Sequence, residues 1–285
     1  MRWVVVLTLL LFPAIAGAKA QRWETLPMPP AMPAATTTGF VDVPGAKLYY
    51  ATYGKGEPVV LLHGGLGNSD HWGFQLPDLA AKYQVIAIDS RNQGRSTMTK
   101  SKDKLSYRAM ASDVVAVLDA LGVSKAAIVG WSDGGAIALE LGIHNADRVS
   151  KLFVYGTNYS AKGSKERRAG SSPTFNAYAM KCKQDFMKIS KTPNDFAAVV
   201  DSLLPVWRSS QGITQDQLRG IKAYAVIADG DHDEIILLDH IKEMSELIPN
   251  AKLVVFDNAS HFALWQDPDA FNRAVLEFMA KPVGK

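Results

Sequence analysis

The chain has 285 residues, 47% of them hydrophobic, which suffices for one large α/β domain or two small ones with a substantial core. Its 31 basic and 28 acidic residues are interspersed, and a formal net charge of +3 leaves no electrostatic footprint for nucleic acid, so a small-molecule partner is expected. The one cysteine, Cys182, excludes an internal disulfide and any cysteine metal cluster.

Residues 1–20 read as a targeting segment. Met1-Arg2 is a short basic start, Trp3 to Ile15 is an apolar run too short to span a bilayer comfortably, and Ala16, Ala18 and Ala20 supply the small residues of a cleavable secretory signal. Ala18-Lys19-Ala20 before Gln21 is preferred as the cleavage motif over Ala16-Gly17-Ala18, and an uncleaved anchor is the alternative. No cysteine follows the run, which excludes a lipoprotein anchor; a secreted or periplasmic protein without stable membrane insertion is expected. Residues 21–38 hold Pro27, Pro29, Pro30 and Pro33 without hydrophobic period and read as a Pro-rich linker or extended arm.

The domain is expected over residues 39–285. Phe40–Val43 and Lys47–Ala51 flank a Pro44-Gly45-Ala46 turn as an antiparallel edge pair. Val59–Leu62 is a continuous apolar strand ending in His63-Gly64-Gly65-Leu66-Gly67, a loop whose bare backbone N–H groups suit half of an oxyanion hole. Gly65 is the first candidate donor and Leu66 the alternative; His63 reads as bracing the loop, and a phosphate loop lacks its Gly-Lys-Ser/Thr. A helix from about Trp72 to Lys82, a strand Gln84–Ile88, a charged turn Asp89–Ser96 fixed by internal ion pairs, and a helix Tyr107–Leu121 follow.

The strand Lys125–Val129 then breaks into Gly130-Trp131-Ser132-Asp133-Gly134-Gly135 and resumes as a helix to about His144. A serine at the apex of such a turn, between residues without a Cβ, is pushed out toward substrate, and Ser132 is read as a nucleophile. The N–H of Asp133, at the start of the new helix, is the second candidate oxyanion donor. After the strand Val149–Val154 the alternation of strand and helix implies a mostly parallel sheet flanked by helices, with the ligand site at the carboxyl ends of the strands. From about residue 157 to 219 the rhythm breaks into charged helical patches carrying Phe175, Tyr178 and Trp207, expected as a small helical cap. Strand Ala223–Ala228 leads into Asp229-Gly230-Asp231-His232-Asp233-Glu234, strand Leu253–Phe256 leads into a loop with His261, and a helix Pro268–Met279 closes the chain.

A serine hydroxyl needs a base, and a histidine base needs a carboxylate to hold its tautomer. Ser132, His261 and Asp233 fill these roles on three loops after strands, in the order serine, acid, histidine.

Five ordered motifs now carry a resemblance: His63-Gly64-Gly65, Asp89-Ser90-Arg91 with Gly94 and Ser96, Gly130-Trp131-Ser132-Asp133-Gly134, Gly230-x-x-Asp233, and Ser260-His261-Phe262. From about Gly39 to Ala280 the chain resembles serine hydrolases of the α/β-hydrolase fold. The resemblance implies the acid of a Gly-x-x-Asp loop, Asp233 rather than Asp231 or Glu234; the loop Tyr155-Gly156-Thr157-Asn158, where some members carry it, has none. Asn92 stands where Asp-x-Arg is usually followed by glycine. A serine nucleophile sets the chain apart from the dehalogenases and epoxide hydrolases of the fold. Its Gly-Trp-Ser-Asp-Gly-Gly is similar to valacyclovir hydrolase, its bacterial relatives and the carboxylesterase group. That likeness implies that an acid near the serine recognises a substrate amino group; the Asp133 carboxylate either does so or braces its loop.

The expected activity is therefore that of a secreted serine esterase with the triad Ser132, Asp233 and His261, an oxyanion hole of Gly65 and Asp133, and Leu66, Trp131, Asp133 and Trp207 at the substrate. It requires no metal or organic cofactor. An amidase or aminopeptidase, a carbon–carbon bond hydrolase and a cofactor-free perhydrolase share these parts, and a non-catalytic ligand receptor is the alternative of a different class. A dinucleotide site fails because Gly130, Gly134 and Gly135 do not make G-x-G-x-x-G.

Overall fold

Runs of branched apolar residues build the centre of one eight-stranded sheet. The structure, a computed structural model, describes residues 20–99, 105–166, 172–209 and 212–282. The expected targeting segment, residues 1–20, lies outside these residues except for Ala20. The strands are β1 (Thr37–Val43), β2 (Ala46–Tyr53), β3 (Pro58–Leu62), β4 (Gln84–Ile88), β5 (Ala126–Trp131), β6 (Val149–Tyr155), β7 (Tyr224–Gly230) and β8 (Ala251–Phe256). Their order across the sheet is β1-β2-β4-β3-β5-β6-β7-β8. β1 and β2 are antiparallel at one edge, β2 is antiparallel to β4, and all remaining pairs are parallel. Leu61 on β3 pairs with Ala87 of β4 and Val129 of β5, so the loops leaving these strands open on one rim. Val59 to Leu62 are wholly buried, as a strand covered on both faces requires.

Helices cover the two faces. These are α1 (Leu76–Ala80), α2 (Tyr107–Ala120), α3 (Asp133–His144), α4 (Pro173–Ile189), α5 (Phe196–Arg208), α6 (Gln215–Gly220), α7 (Leu238–Leu247), α8 (Ala263–Gln266) and α9 (Pro268–Ala280). Leu152 of β6 meets α3 at Gly142, whereas its neighbour Phe153 meets Phe271 and Phe278 of α9. Successive strand residues point to opposite faces, so α3 and α9 lie on opposite sides of the sheet. The expected helix from Trp72 to Lys82 is divided: Ser69–Trp72 is a 3₁₀ turn and α1 begins at Leu76. Pro77 sits in the first turn of α1, where its missing N–H does no harm, whereas inside a longer helix it would cost a hydrogen bond and clash with the preceding turn.

Two boundaries differ from expectation. β1 begins at Thr37, inside the segment assigned to the linker, and the rest of that segment is docked on the body. Arg22 pairs with Asp267 and donates to the main-chain carbonyl of Asn258, while Trp23 stacks on His232 with ring centroids 4.8 Å apart. The cap is narrower than residues 157–219. α4 and α5 pack on each other, but α6 packs against α3 and α7 and belongs to the body layer, because Leu218 and the following Ile221 are buried there.

Candidate active site

β5 delivers Ser132 to the rim. Its backbone stands at φ 56°, ψ −117°, in left-handed territory that a residue with a Cβ occupies only under strain, on the order of 1–3 kcal/mol. Two hydrogen bonds hold it there: Ser132 N–H donates to Tyr155 O at 2.8 Å, and Ser132 O accepts from Ala136 N–H at 3.0 Å as α3 begins. The flanking glycines are a steric requirement. A Cβ on Gly130 would run into the Gly134 carbonyl, and one on Gly134 into the Leu62 carbonyl of β3.

His261 and Asp233 come from the loops after β8 and β7. Asp233 Oδ2 lies 2.6 Å from His261 Nδ1, and Asp233 Oδ1 accepts from the N–H groups of Ile235 at 2.5 Å and Ile236 at 2.8 Å. Burial opposes the charge on Asp233, yet the facing imidazole and these N–H donors hold its carboxyl below the usual carboxylate range. Asp229, at the end of β7, shows the opposite outcome: burial and the charge of Asp233 push its carboxyl well above that range.

The backbone of His261 is fixed from three directions. Glu234 Oε2 accepts its N–H at 3.1 Å, Trp131 Nε1 donates to its carbonyl at 2.9 Å, and Tyr155 braces its flanks, donating to Ser260 O at 2.5 Å and accepting from Ala263 N–H at 3.0 Å. Glu234 Oε1 also accepts from Ser172 and Thr174 at the start of α4, tying the cap to the histidine loop.

A cavity of about 220 Å³ opens over this rim. Ser132, His261, Gly65, Trp131, Asp133 and Trp207 all line it, and Asp233 is buried behind His261. Leu66 does not line it, which corrects its expected place at the substrate. Gly67 N–H bonds Gly64 O at 3.1 Å, closing a turn around Gly65 and Leu66, and Leu66, at φ 68°, packs into the core. The carboxylate of Asp133 is engaged from two sides, by Tyr107 Oη at 2.8 Å and by Trp207 Nε1 at 3.0 Å. Burial raises its affinity for a proton, against the pull of those two donors.

His63 braces as expected. Its Nε2 accepts Ser90 N–H at 3.0 Å, so the proton sits on Nδ1, which donates to Gly64 O at 2.8 Å. The Asp89 loop is held by Asp89 with Ser69 N–H and Arg95, and by Arg91 on Asp113.

Sequence reasoning missed Tyr107, Lys165, Ile235 and Ile236 as lining residues, and it named Phe175 and Tyr178 without sorting them from packing residues. The helical pattern of α2 and α4 carries no sign of which end faces a cavity.

The family model for the alpha/beta hydrolase fold matches residues 57–177. A 2-hydroxy-6-oxo-6-phenylhexa-2,4-dienoate hydrolase of Burkholderia cepacia is 27% identical over 292 aligned positions, covering 86% of this chain and 97% of that protein. Among solved structures, a meta-cleavage product hydrolase from Pseudomonas fluorescens superposes with a TM-score of 0.73 at 21% identity, over 85% of this chain and 97% of the other. An esterase from a Rhodococcus species does so with a TM-score of 0.65 at 28% identity, over 86% and 98%. Eight strands in this order, the serine turn after β5 and these relatives agree: the chain adopts the alpha/beta hydrolase fold and has its sequence relatives among hydrolases.

Proposed function

We propose that the protein is a serine hydrolase that cleaves carboxylic esters through an acyl-enzyme. The observation that carries this reading is Ser132 at a strained strand-to-helix turn, in one cavity with a histidine whose Nδ1 is bound to a buried carboxylate. Ser132 Oγ forms a bond to the acyl carbon as His261 Nε2 takes its proton; Asp233 holds the imidazole and balances the charge it gains. The N–H groups of Gly65 and Asp133 receive the oxyanion. The carbon–oxygen bond to the alcohol then breaks as His261 returns the proton to the leaving oxygen, and water activated by the same histidine releases the acid.

The cavity's modest volume favours a small or medium acyl group. Both Asp133 carboxylate oxygens already accept hydrogen bonds from the protein, which supports the bracing role for this side chain over recognition of a substrate amine. A second reading rests on the Burkholderia relative, whose name describes hydrolysis of a dienoate: attack on a ketone with a carbon leaving group uses the same serine, histidine and N–H donors. The apolar run Trp3 to Ile15 and the small residues after it support export of a mature chain beginning at Gln21.

Release of p-nitrophenol from a short-to-long acyl ester series, beside turnover of a 2-hydroxy-6-oxodienoate, tests the choice. Turnover of the esters that falls by about 10⁶-fold in Ser132→Ala supports the esterase. Preference for the dienoate by orders of magnitude moves the assignment to carbon–carbon cleavage. Equal activity in both proteins removes Ser132 as nucleophile, and inertness toward every substrate favours a ligand receptor.

A further inference from the structure

The two halves of the proposed oxyanion hole lie on loops far apart in sequence, and each is held by a different helix of the cap. On the first half, the turn Gly64–Gly67 places Leu66, a residue with a Cβ, at φ 68° in the third position. A type II turn favours glycine at that position, so Leu66 biases the loop toward flipping the Gly65–Leu66 peptide and relaxing to type I. The flip is opposed at the carbonyl of that same peptide: Tyr178 Oη, from α4, donates to Gly65 O at 3.0 Å. Tyr178 is itself almost fully buried, its ring edge-on to Trp131 with centroids 5.3 Å apart, so its hydroxyl has little freedom to leave.

On the second half, Trp207 Nε1 from α5 donates to the carboxylate of Asp133, the residue whose N–H is the other donor. The same indole covers the first half. A Cβ built on Gly65 would fall 2.8 Å from Trp207 Cζ2 and 2.5 Å from Asp133 Oδ2, so the ring and the carboxylate close directly over the Gly65 Cα.

We infer that the cap completes the oxyanion hole: Tyr178 and Trp207 are positioning residues, Tyr178 pinning the Gly65–Leu66 peptide and with it the turn that presents the Gly65 N–H and the alternative Leu66 N–H, and Trp207 pinning Asp133. This rests on the reading of Ser132 as nucleophile. Seating of the cap and assembly of the oxyanion hole are then one event, and groups that never touch the reacting atoms set the rate of the chemical step.

Tyr178→Phe and Trp207→Phe keep an aromatic ring and remove one donor group each, so both are expected to fold. Two quantities separate positioning from substrate contact: the split between kcat and KM on a p-nitrophenyl ester, and the rate at which a fluorophosphonate probe phosphonylates Ser132. Expected for each variant is a fall of about tenfold in kcat and in phosphonylation rate, with KM within about twofold of wild type, the rate equivalent of one lost hydrogen bond felt only in the transition state. A raised KM with unchanged kcat, or phosphonylation at the wild-type rate, overturns the inference. Failure of the underlying reading looks different: wild-type Ser132 is then not labelled at all.

Discussion

Trp131 Nε1 donates to the main-chain carbonyl of His261 at 2.9 Å, so the residue before Ser132 holds the backbone of His261 across 130 positions of sequence. The indole is fully buried and packs against Phe262 and Trp265, at centroid distances of 5.8 and 5.7 Å. The registration of serine and histidine thus depends on a side chain that the elbow motif itself supplies.

Trp131→Phe preserves most of this packing and deletes the donor. The His261 carbonyl is left buried without that partner, and the loop gains freedom to shift relative to Ser132. Expected are a several-fold to tenfold loss of kcat on esters and a loss of about 1–2 kcal/mol of stability. Steady-state kinetics and urea unfolding on the same samples check both; a variant less stable but kinetically unchanged shows that the contact serves the fold alone.

Two carboxyls separated by one turn, Asp229 and Asp233, are pushed in opposite directions, and matched substitutions separate them. Asp233→Asn leaves a group of the same shape that cannot balance an imidazolium, and kcat is expected to fall by about 10⁴-fold. Burial and its charged neighbour push the Asp229 carboxyl toward its proton-bound form, so Asp229→Asn is expected to change little in charge and activity should stay within about threefold. Comparable losses in the two variants would show that Asp229 carries charge in the working enzyme.

How much of this was legible in the sequence follows from range. The glycines around Ser132 betray the strand-to-helix turn because their reason is local, the approach of α3 to β3 and β5. Leu66 was misplaced because a left-handed φ in a leucine leaves no local signature, and the turn sends the side chain into the core. Asn92, standing where the family has glycine, adopts φ 69° without disturbing its loop: asparagine tolerates that region, and its Oδ1 takes Thr99 N–H at 2.6 Å. The helix α7 is not legible although Leu238, Ile241 and Met244 have helical spacing, because the apolar run Ile235-Ile236-Leu237-Leu238 hides where that period begins. Tyr107, Tyr178 and Trp207 reach the site through contacts that span 26, 113 and 74 residues, and no local pattern encodes them.

Gly65 is held between the Asp133 carboxylate and the Trp207 ring, which leaves no volume for a methyl group. Gly65→Ala must displace one or the other. Activity is expected to fall by about 10²-fold, the scale of a lost oxyanion donor, while the melting temperature moves by only a few degrees because the site lies at a cavity wall. Activity within twofold of wild type would mean that the loop adapts and that its N–H does not set the rate.

The amino-terminal arm reaches the loops that carry Asp233 and His261. Gln266 Nε2 donates to Trp23 O at 3.1 Å and Thr25 O at 2.8 Å as well as to Ser260 Oγ, while Gln266 Oε1 accepts Ser260 N–H, next to His261. The proposed cleavage after Ala20 would keep this docking intact. Mass spectrometry of the exported protein is expected to find Gln21 first, and a chain lacking residues 21–25 should lose activity faster on heating than the full mature form. An identical inactivation rate would reduce the arm to a tether.

His63 gives the fold a pH dependence of known sign. Burial, opposed in part by the charge of Asp89, holds its proton affinity down to about 4, below the usual 6.5 for histidine. The geometry agrees, since a proton on Nε2 would face the Ser90 N–H. The unfolded chain therefore binds this proton more readily than the folded one. The contribution is fully present above about pH 6.5, is lost progressively as pH falls to about 4, and amounts to on the order of 3 kcal/mol. His71, lowered by burial, acts in the same sense, whereas the raised carboxyls of Asp133 and Asp229 act in the opposite one, so a single pH profile mixes the two. The difference between wild type and His63→Asn isolates the histidine. Urea unfolding at pH 7.5 and pH 5 should show a smaller loss of stability in the variant than in wild type; equal losses would place the titrating group elsewhere.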